Sequence, residues 1–205
     1  MLKLTRLGRW LAPLALVAGI TAAAAQSTSG KTETAIFAGG CFWGVESVFE
    51  HVRGVRNVVS GYAGGSRNML DRNGGGRIGF AEVVRINFNP DEISYNRLLE
   101  VFATIAHDPT QVDRQGPDIG PRYRSAIFPQ NAQQQQAAQQ FLAQLKASGR
   151  FNRPIATRIE HGRFEAAEPA HQDYVRKNPN SPYVVVNDLP KLAALRRTYP
   201  QLWRE

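Results

Sequence analysis

A short apolar run, Ala35 to Ala38, leads through two glycines directly into a helical pattern, and this junction sets the start of the fold. Between Cys41 and His51, apolar residues recur at the three- and four-residue spacing of an amphipathic helix. Gly54 ends the helical pattern, since glycine readily terminates helices. The sequence therefore predicts a buried strand followed at once by a helix.

The next segments extend this pattern to the order strand–helix–strand–strand–helix–strand. Strands are predicted over Val55 to Tyr62, Phe80 to Phe88 and Arg124 to Phe128, and a helix capped by Ser94 precedes the last of them. This order predicts an α+β fold, a ferredoxin-like split βαβ plait. Such a plait is a two-layer α/β sandwich whose antiparallel sheet carries helices on one face.

Later segments are predicted to form extra C-terminal helices and long loops that wrap around the sheet. They are a helix over 131–148, a strand over 155–160, and helices over 169–177 and 189–199.

The N-terminal residues have the composition of a secretory signal peptide. A positively charged start is followed by an apolar stretch from Leu11 to Ile20, which is too short to span a bilayer comfortably. Ala22 to Ala25 provides an A-x-A cleavage site. The alternative is an uncleaved N-terminal anchor.

This reading divides the chain into a signal peptide (1–25), a polar linker (26–34) and a main domain (35–205). It implies export, with the periplasm as the destination and no stable membrane insertion after cleavage. Removing the signal peptide lowers the formal net charge from +8 to +5. No run of Lys and Arg alternates with aromatic residues, which argues against nucleic-acid binding. The expected state is a monomer.

The chain has one cysteine, Cys41, which excludes an intramolecular disulfide and a cysteine-rich zinc site. Cys41 lies where the first strand meets the first helix. Unpaired N–H groups at a helix N-terminus favour a thiolate and lower the cysteine pKa. The neighbouring glycines would let a ligand approach the backbone, and Phe42 and Trp43 would form an aromatic wall. The alternative is a small buried cysteine with no chemical role.

Glu82 is the second candidate, because counting by two places it on the apolar face of the strand Phe80 to Phe88. Burial disfavours the charged carboxylate, so the pKa of Glu82 should rise. A carboxylic acid that stays protonated near neutral pH can donate a proton. The alternative is a buried glutamate held by a salt bridge or by backbone donors.

A thiolate beside an acid suggests nucleophilic attack on an electrophile whose oxygen is protonated as it leaves. A cysteine-dependent hydrolase is the rival, and it requires a histidine close to Cys41 in the fold. None of the four histidines, His51, His107, His161 and His171, lies next to Cys41 in the sequence.

The sequence resembles the A-type peptide methionine sulfoxide reductases from Ala35 to Pro190. The resembling segments are, in order, GGCFWGVESVFE (39–50), VVSGYAGG (58–65), GFAEVVRINFNP (79–90), ISYNRLLEVF (93–102), AHDPTQVDRQGPDIGPRYRSAIF (106–128) and FEAAEPAHQDYVRKNP (164–179). The resemblance implies reduction of methionine-S-sulfoxide, either free or in proteins, and repair of oxidised exported proteins.

The resemblance also implies a catalytic set. Cys41 is the nucleophile that attacks the sulfoxide sulfur and becomes a sulfenic acid. Glu82 protonates the sulfoxide oxygen, and Tyr123 contacts the same oxygen.

The resemblance further implies a substrate-binding set. Phe42 and Trp43 hold the methyl group of the substrate, and Asp118 orders the site from its loop. His171 and Tyr62 are implied as supports behind these residues. No bound cofactor and no metal are implied.

Three departures from the family pattern lie near these positions. Phe80 replaces the usual histidine before the Ala-Glu pair, Leu70 stands where some members have a second tyrosine, and Ile119 replaces the histidine beside the aspartate. They leave open a weakened relative that binds oxidised methionine without turning it over.

The lone cysteine is a fourth departure, because many members carry resolving cysteines. A sulfenic acid at Cys41 could not close an intramolecular disulfide, so an external thiol must reduce it. The expected partner is a thioredoxin-like protein or a small thiol.

Overall fold

The computed structural model describes residues 30–65 and 79–205. The strands are β1 (Glu33–Gly39), β2 (Val55–Gly64), β3 (Phe80–Phe88), β4 (Arg114–Gln115), β5 (Asp118–Ile119), β6 (Ser125–Ile127), β7 (Arg158–Ile159) and β8 (Glu165–Ala166). The α-helices are α1 (Phe42–Glu50), α2 (Tyr95–Val101), α3 (Ala132–Ala147), α4 (Tyr174–Lys177) and α5 (Leu189–Thr198). Two π-helical turns, Phe102–Ala106 and Val184–Asp188, follow α2 and precede α5, and 3-10 turns cover Pro121–Tyr123 and Pro169–His171.

Strand β3 lies at the centre of the sheet, where it pairs antiparallel with β1 on one side and β2 on the other. Among the described residues the sheet order is β7-β6-β1-β3-β2-β8. The predicted combination of a central sheet with helices is confirmed, while the specific ferredoxin-like plait stays a prediction. The sheet is not wholly antiparallel, because β7 returns after the long connection through α3 and pairs parallel with β6.

Both faces of β3 are covered. Val84, Ile86 and Phe88 face the larger core, which the helices complete, while Ala81 and Val83 face a smaller apolar cluster. Burial on both faces explains why this strand is apolar almost throughout instead of alternating with polar residues.

Phe37 on β1 anchors the larger core between the sheet and the first two helices. Its side chain is fully buried. Its ring centroid lies 5.8 Å from Phe49 of α1, 5.9 Å from Tyr95 of α2 and 4.8 Å from Phe102. Ser94 caps α2 as predicted, since its side chain accepts a hydrogen bond from the Arg97 backbone N–H. The first two helices are therefore fixed to the sheet through one aromatic cluster.

Later segments depart from their predicted lengths. The strand predicted over 155–160 forms only as β7, at the edge of the sheet, because its one partner there is the short strand β6. The helix predicted over 169–177 is interrupted, since Gln172 is extended and Asp173 takes the left-handed conformation with φ 55°. The long helix over 131–148 and the last helix are confirmed within a few residues.

The N-terminal predictions fall largely outside the described residues. The predicted signal peptide (1–25) lies entirely outside them, and so does Leu70. Strand β1 begins at Glu33, so the last residues assigned to the linker belong to the sheet. Within 30–65 and 79–205, no helix is both long and apolar enough to cross a membrane.

Substitution of Phe37 by alanine should leave a cavity at the junction of β1, α1 and α2. We expect the free energy of unfolding to fall by about 3–5 kcal/mol, because a fully buried phenylalanine loses both its transfer free energy and its packing contacts. Urea denaturation followed by circular dichroism measures this change. Val186→Ala is the control, since Val186 is 70% exposed and should change stability by less than about 0.5 kcal/mol.

Candidate active site

Cys41 lies directly between β1 and α1 and occupies the N-cap position of the helix. Only 9% of the residue is exposed. Gly40 makes the turn with φ +92°, and a Cβ there would come within 2.4 Å of the Gln115 side chain. The two constraints together require glycine before the cysteine.

Gly44, one turn into α1, is required for a different reason. A Cβ at this position would lie 2.1 Å from the Asp188 carboxylate and 2.7 Å from the Lys191 ammonium. The flanking glycines were expected to admit a ligand to the backbone. In the structure, the space beside each glycine is filled by side chains of the protein itself. Gln115 packs against Gly40, and the Asp188–Lys191 ion pair packs against Gly44.

Glu82 projects from β3 to the N-terminus of α1. Its Oε2 accepts a hydrogen bond of 3.2 Å from the Phe42 backbone N–H. Burial raises the pKa of Glu82 to about 7, although the Phe42 N–H and the Arg122 charge oppose this rise. The predicted elevation of the Glu82 pKa is confirmed. Glu82 is therefore poised between acid and carboxylate near neutral pH.

The predicted lowering of the Cys41 pKa is wrong. Burial and then the neighbouring Glu82 charge raise the pKa of the thiol to about 12, against a smaller opposing effect of the Trp43 N–H. The Glu82 carboxylate, and not the sulfur, takes the first free N–H of the helix. At neutral pH, Cys41 is consequently a thiol.

Tyr123 and Asp118 reach the site from the loop between α2 and β6. Asp118 lies on β5, and Tyr123 ends the 3-10 turn that follows it. Burial raises the pKa of Tyr123, followed by the charges of Glu82, Asp118 and Cys41. The structure thus brings together the four polar residues predicted from the sequence.

Tyr183 was missed by the sequence analysis. Its hydroxyl donates a hydrogen bond of 2.5 Å to Asp118 Oδ2 and also hydrogen-bonds to the Cys41 sulfur. The hydrogen bond from Tyr183 lowers the Cys41 pKa and so partly offsets the effect of burial. The Tyr183 hydroxyl therefore connects the Cys41 sulfur with Asp118.

A π-helical turn explains how Tyr183 and Asp188 both face Cys41. Tyr183 immediately precedes the turn Val184–Asp188, and the Asp188 charge also raises the pKa of Cys41. Residues five apart lie one turn apart in a π-helix, so both side chains lie on one face. A search for α-helical spacing does not pair these two residues.

Phe42 and Trp43, which follow Cys41 in the sequence, form an aromatic cluster with Tyr62, His171 and Tyr174, and their role as a wall for the substrate stays a prediction. The Phe42 ring lies 5.6 Å from Tyr62 and 5.3 Å from His171. The Trp43 indole N–H donates a hydrogen bond of 3.2 Å to His171 Nδ1. Tyr174 stacks on the indole at 3.6 Å with an interplanar angle of 8°. His171 and Tyr62 thus support the wall, and Tyr174 is a further residue that the sequence analysis did not single out.

The departures from the family pattern occupy different environments. Phe80 is buried at the start of β3, two residues before Glu82. Ile119 is 72% exposed on β5. Leu70 lies outside the described residues.

The hydrolase alternative finds no support in the histidine positions. His107 lies against Gly39, yet its Nδ1 hydrogen-bonds to Phe102 O and its Nε2 to Ser125 Oγ. Both ring nitrogens are therefore occupied away from Cys41. His171 uses Nδ1 to bind Trp43. Within the described part of the chain, no group of three or more His, Cys, Asp or Glu side chains is placed to hold a metal ion.

The arrangement combines a nucleophilic sulfur, a carboxyl group of pKa about 7 and an aromatic wall. The sulfur can attack an electrophile held against Phe42 and Trp43. Glu82 and Tyr123 can then donate protons to an oxygen atom of that electrophile. Such a site suits a small polar group that carries an apolar substituent.

Comparison with known proteins identifies relatives along nearly all of the described chain. The family model for peptide methionine sulfoxide reductase matches residues 33–202. The chain is 49% identical over 177 residues to the peptide methionine sulfoxide reductase MsrA 2 of Mesorhizobium japonicum, covering 85% of this chain and 91% of the relative. It is 46% identical over 170 residues to the MsrA of Deinococcus radiodurans, covering 82% of each chain.

Solved structures agree with the sequence relatives. The fold matches the reduced form of Mxr1 from Saccharomyces cerevisiae with a TM-score of 0.64 and 31% identity, covering 74% of this chain and 88% of Mxr1. It also matches methionine sulfoxide reductase A of Corynebacterium diphtheriae with a TM-score of 0.59 and 32% identity, covering 72% and 76% of the two chains.

The proximity of Glu82 and Cys41 predicts the outcome of an alkylation experiment. Above pH 7 the Glu82 charge raises the Cys41 pKa, so Glu82→Gln should lower that pKa and increase the thiolate fraction. We expect iodoacetamide to alkylate the variant faster at pH 8, by about tenfold for each unit by which the Cys41 pKa falls. Rates measured by mass spectrometry from pH 6 to 9 give the profile.

Glu33→Gln is the matched control, because Glu33 is exposed at the far end of β1. Equal alkylation rates for wild type and Glu82→Gln at pH 8 would show that the carboxylate does not act on the sulfur.

Proposed function

The chain belongs to the peptide methionine sulfoxide reductase family, and on this premise we propose that Cys41 reduces methionine-S-sulfoxide through a sulfenic acid that an external thiol recycles. The enzyme is an oxidoreductase that acts on methionine sulfoxide. The observation that carries the detailed proposal is the position of Glu82, whose carboxylate hydrogen-bonds to the backbone N–H next to the only cysteine.

Phe42 and Trp43 bind the methyl group of the sulfoxide in this proposal. Their rings form an apolar wall whose indole is fixed by a stacked Tyr174 and a hydrogen bond to His171. With the methyl group against this wall, the sulfoxide sulfur faces Cys41 and its oxygen faces Glu82 and Tyr123. Asp118 acts through Tyr183, which it holds against the sulfur.

Proton transfer follows from the two pKa values. A thiol with a pKa of about 12 beside a carboxyl group with a pKa of about 7 shares one proton at pH 8, and that proton rests on sulfur. The sulfoxide oxygen becomes basic as sulfur attacks, so the shared proton moves through Glu82 to that oxygen. Glu82 therefore serves as the relay between thiol and oxygen.

The reaction balances as a two-electron exchange. The Cys41 sulfur forms a bond to the sulfoxide sulfur, whose oxygen is protonated. The S–O bond of the substrate and the new S–S bond then break as the oxygen moves to Cys41, and an electron pair returns to the methionine sulfur. Methionine leaves reduced, and Cys41 is oxidised to a sulfenic acid.

Recycling requires a second molecule because Cys41 is the only cysteine. A thiol attacks the sulfenic acid, releases water and forms a mixed disulfide. A second thiol then cleaves this disulfide and restores Cys41. We propose a thioredoxin-like protein or a small thiol as the reductant.

The N-terminal sequence supports an exported repair enzyme. Residues 1–25 have a positive start, an apolar stretch and a small-residue cleavage site. We propose that the mature enzyme is a periplasmic monomer and reduces methionine sulfoxide in exported proteins or as the free amino acid.

Single-turnover reduction of the two sulfoxide epimers tests this chemistry. We expect one equivalent of the S epimer to be reduced per Cys41 without added thiol, and many equivalents with dithiothreitol. The R epimer should remain. Glu82→Gln should slow the single turnover by roughly 10²–10⁴, the usual contribution of a positioned acid, although the same variant alkylates faster.

Cys41→Ser is the inactive control, and dimedone should label wild-type Cys41 after one turnover. Many turnovers without any thiol would refute the recycling scheme. Binding of the S epimer with no turnover would instead support a weakened relative that only binds oxidised methionine.

Export is tested by producing the full chain in a Gram-negative host. We expect a periplasmic protein whose N-terminus lies near Gln26, because cleavage at the A-x-A site removes the signal peptide. Leu16→Arg should interrupt the apolar stretch and leave unprocessed precursor in the cytoplasm. A membrane-bound protein that retains residues 1–25 would establish the anchor alternative.

A further inference from the structure

The aromatic wall depends on a segment that contains little regular structure. Residues 171–174 supply the His171 acceptor and the stacked Tyr174 ring that hold Trp43. The segment passes from a 3-10 turn through extended Gln172 and left-handed Asp173 before α4 begins. Neither a helix nor a strand ladder therefore fixes its middle, and other contacts must do so.

Glu46 provides one of these contacts. It lies on α1, three residues after Trp43, and is only 1% exposed. Its Oε2 accepts a hydrogen bond of 2.9 Å from the Asp173 backbone N–H, and its Oε1 accepts one of 3.3 Å from the Ser60 backbone N–H. The carboxylate thus connects the helix that carries Trp43, the segment that holds Trp43, and strand β2.

Gln172 provides the second contact, on the β2 side. Its Oε1 accepts a hydrogen bond of 2.9 Å from Ser60 N, while its Nε2 donates to Ser60 O at 2.9 Å and to Ala167 O at 3.0 Å. The side-chain amide therefore pairs with Ser60 as a backbone amide of another strand would. It continues the pairing of β2 with β8 past the point where β8 ends.

Asp173 shows why two fixed contacts are needed. Its φ of 55° is sparsely populated by residues other than glycine, so the surroundings must stabilise it. Its N–H is held by Glu46, and its carboxylate forms ion pairs with Arg176 and Lys177. This conformation turns the chain so that His171 and Tyr174, on either side, both meet Trp43.

We propose that Glu46 and Gln172 form a clasp that positions His171 and Tyr174 against Trp43, and thereby sets the affinity of the site for the substrate methyl group. Both are positioning residues and neither touches the reacting atoms. The inference rests on the proposed function only for the role of Trp43 in binding the methyl group. Glu46 and Gln172 belong to segments that resemble the family, but the clasp is assigned from these hydrogen bonds.

If the clasp positions Trp43, substitutions that weaken the clasp should raise KM by a larger factor than they lower the rate of the chemical step. Glu46→Gln keeps the shape of the side chain but places an amide N–H against one of two backbone donors. Gln172→Ala removes all three hydrogen bonds to β2 and to Ala167. For each variant we expect KM for a methionine sulfoxide peptide to rise about tenfold, the effect of losing one or two hydrogen bonds. The single-turnover rate at saturating substrate should fall less than threefold.

Trp43 fluorescence gives a readout that needs no turnover. The chain has three tryptophans, so replacing Trp10 and Trp203 by phenylalanine leaves Trp43 as the only one. We expect acrylamide to quench Trp43 more strongly in Glu46→Gln and in Gln172→Ala, because Tyr174 no longer covers one face of the indole.

Glu33→Gln and Gln140→Ala are the matched controls, since both residues are exposed and distant from this segment. Unchanged KM and unchanged quenching in both clasp variants would overturn the proposal. A single-turnover rate that falls by the same factor as KM rises, together with a lowered unfolding midpoint, would overturn it in favour of a purely structural role. If Glu46→Gln does not fold, Gln172→Ala decides the question alone. A wild-type enzyme that fails to reduce either epimer would refute the proposed function, while the quenching result would still decide the clasp.

Discussion

The hydrogen bond from the Phe42 N–H to the Glu82 carboxylate ties the central strand to the first helix at the point where the cysteine lies. The bond joins the start of α1 to the central strand, and it directs the Phe42 N–H to Glu82, which leaves the Trp43 N–H for the sulfur. It also helps to hold the Glu82 carboxyl group inside the core. Burial disfavours the charged form of this group, and the Phe42 N–H and the Arg122 charge partly offset that effect. Burial is the main cause of the raised pKa of both Glu82 and Cys41, and the Glu82 charge raises the Cys41 pKa further.

The supporting residues converge on this contact from distant parts of the chain. Tyr183 links the sulfur to Asp118, and the segment around Tyr174 closes the aromatic wall. These contacts use a π-helical turn and a left-handed aspartate in place of regular elements. Irregular backbone at a site is expected where side chains must point in directions that a regular helix does not offer.

Much of the framework could be predicted from the sequence because local patterns determine it. The junction before Cys41, the face that Glu82 occupies and the cap at Ser94 follow from spacing and residue type alone. The pKa of Cys41 could not, since burial by residues far along the chain outweighs the local helix effect. Tyr183 was missed because its partnership with Asp118 spans the loop and the C-terminal segment, and no local periodicity records it.

The narrow gap at Gly44 places a carboxylate from the C-terminal part of the chain against the first helix of the sheet. The contacts of Trp43 with His171 and of Ser60 with Gln172 likewise join residues more than a hundred positions apart. Contacts between such distant residues form late in folding, because a long loop must close before they are made. A chain that is still being synthesised therefore carries its cysteine long before it carries the complete surroundings of that cysteine. Until the C-terminal segment packs against α1, Cys41 lacks the burial that raises its pKa, so the incomplete chain carries a more readily ionised thiol than the folded protein.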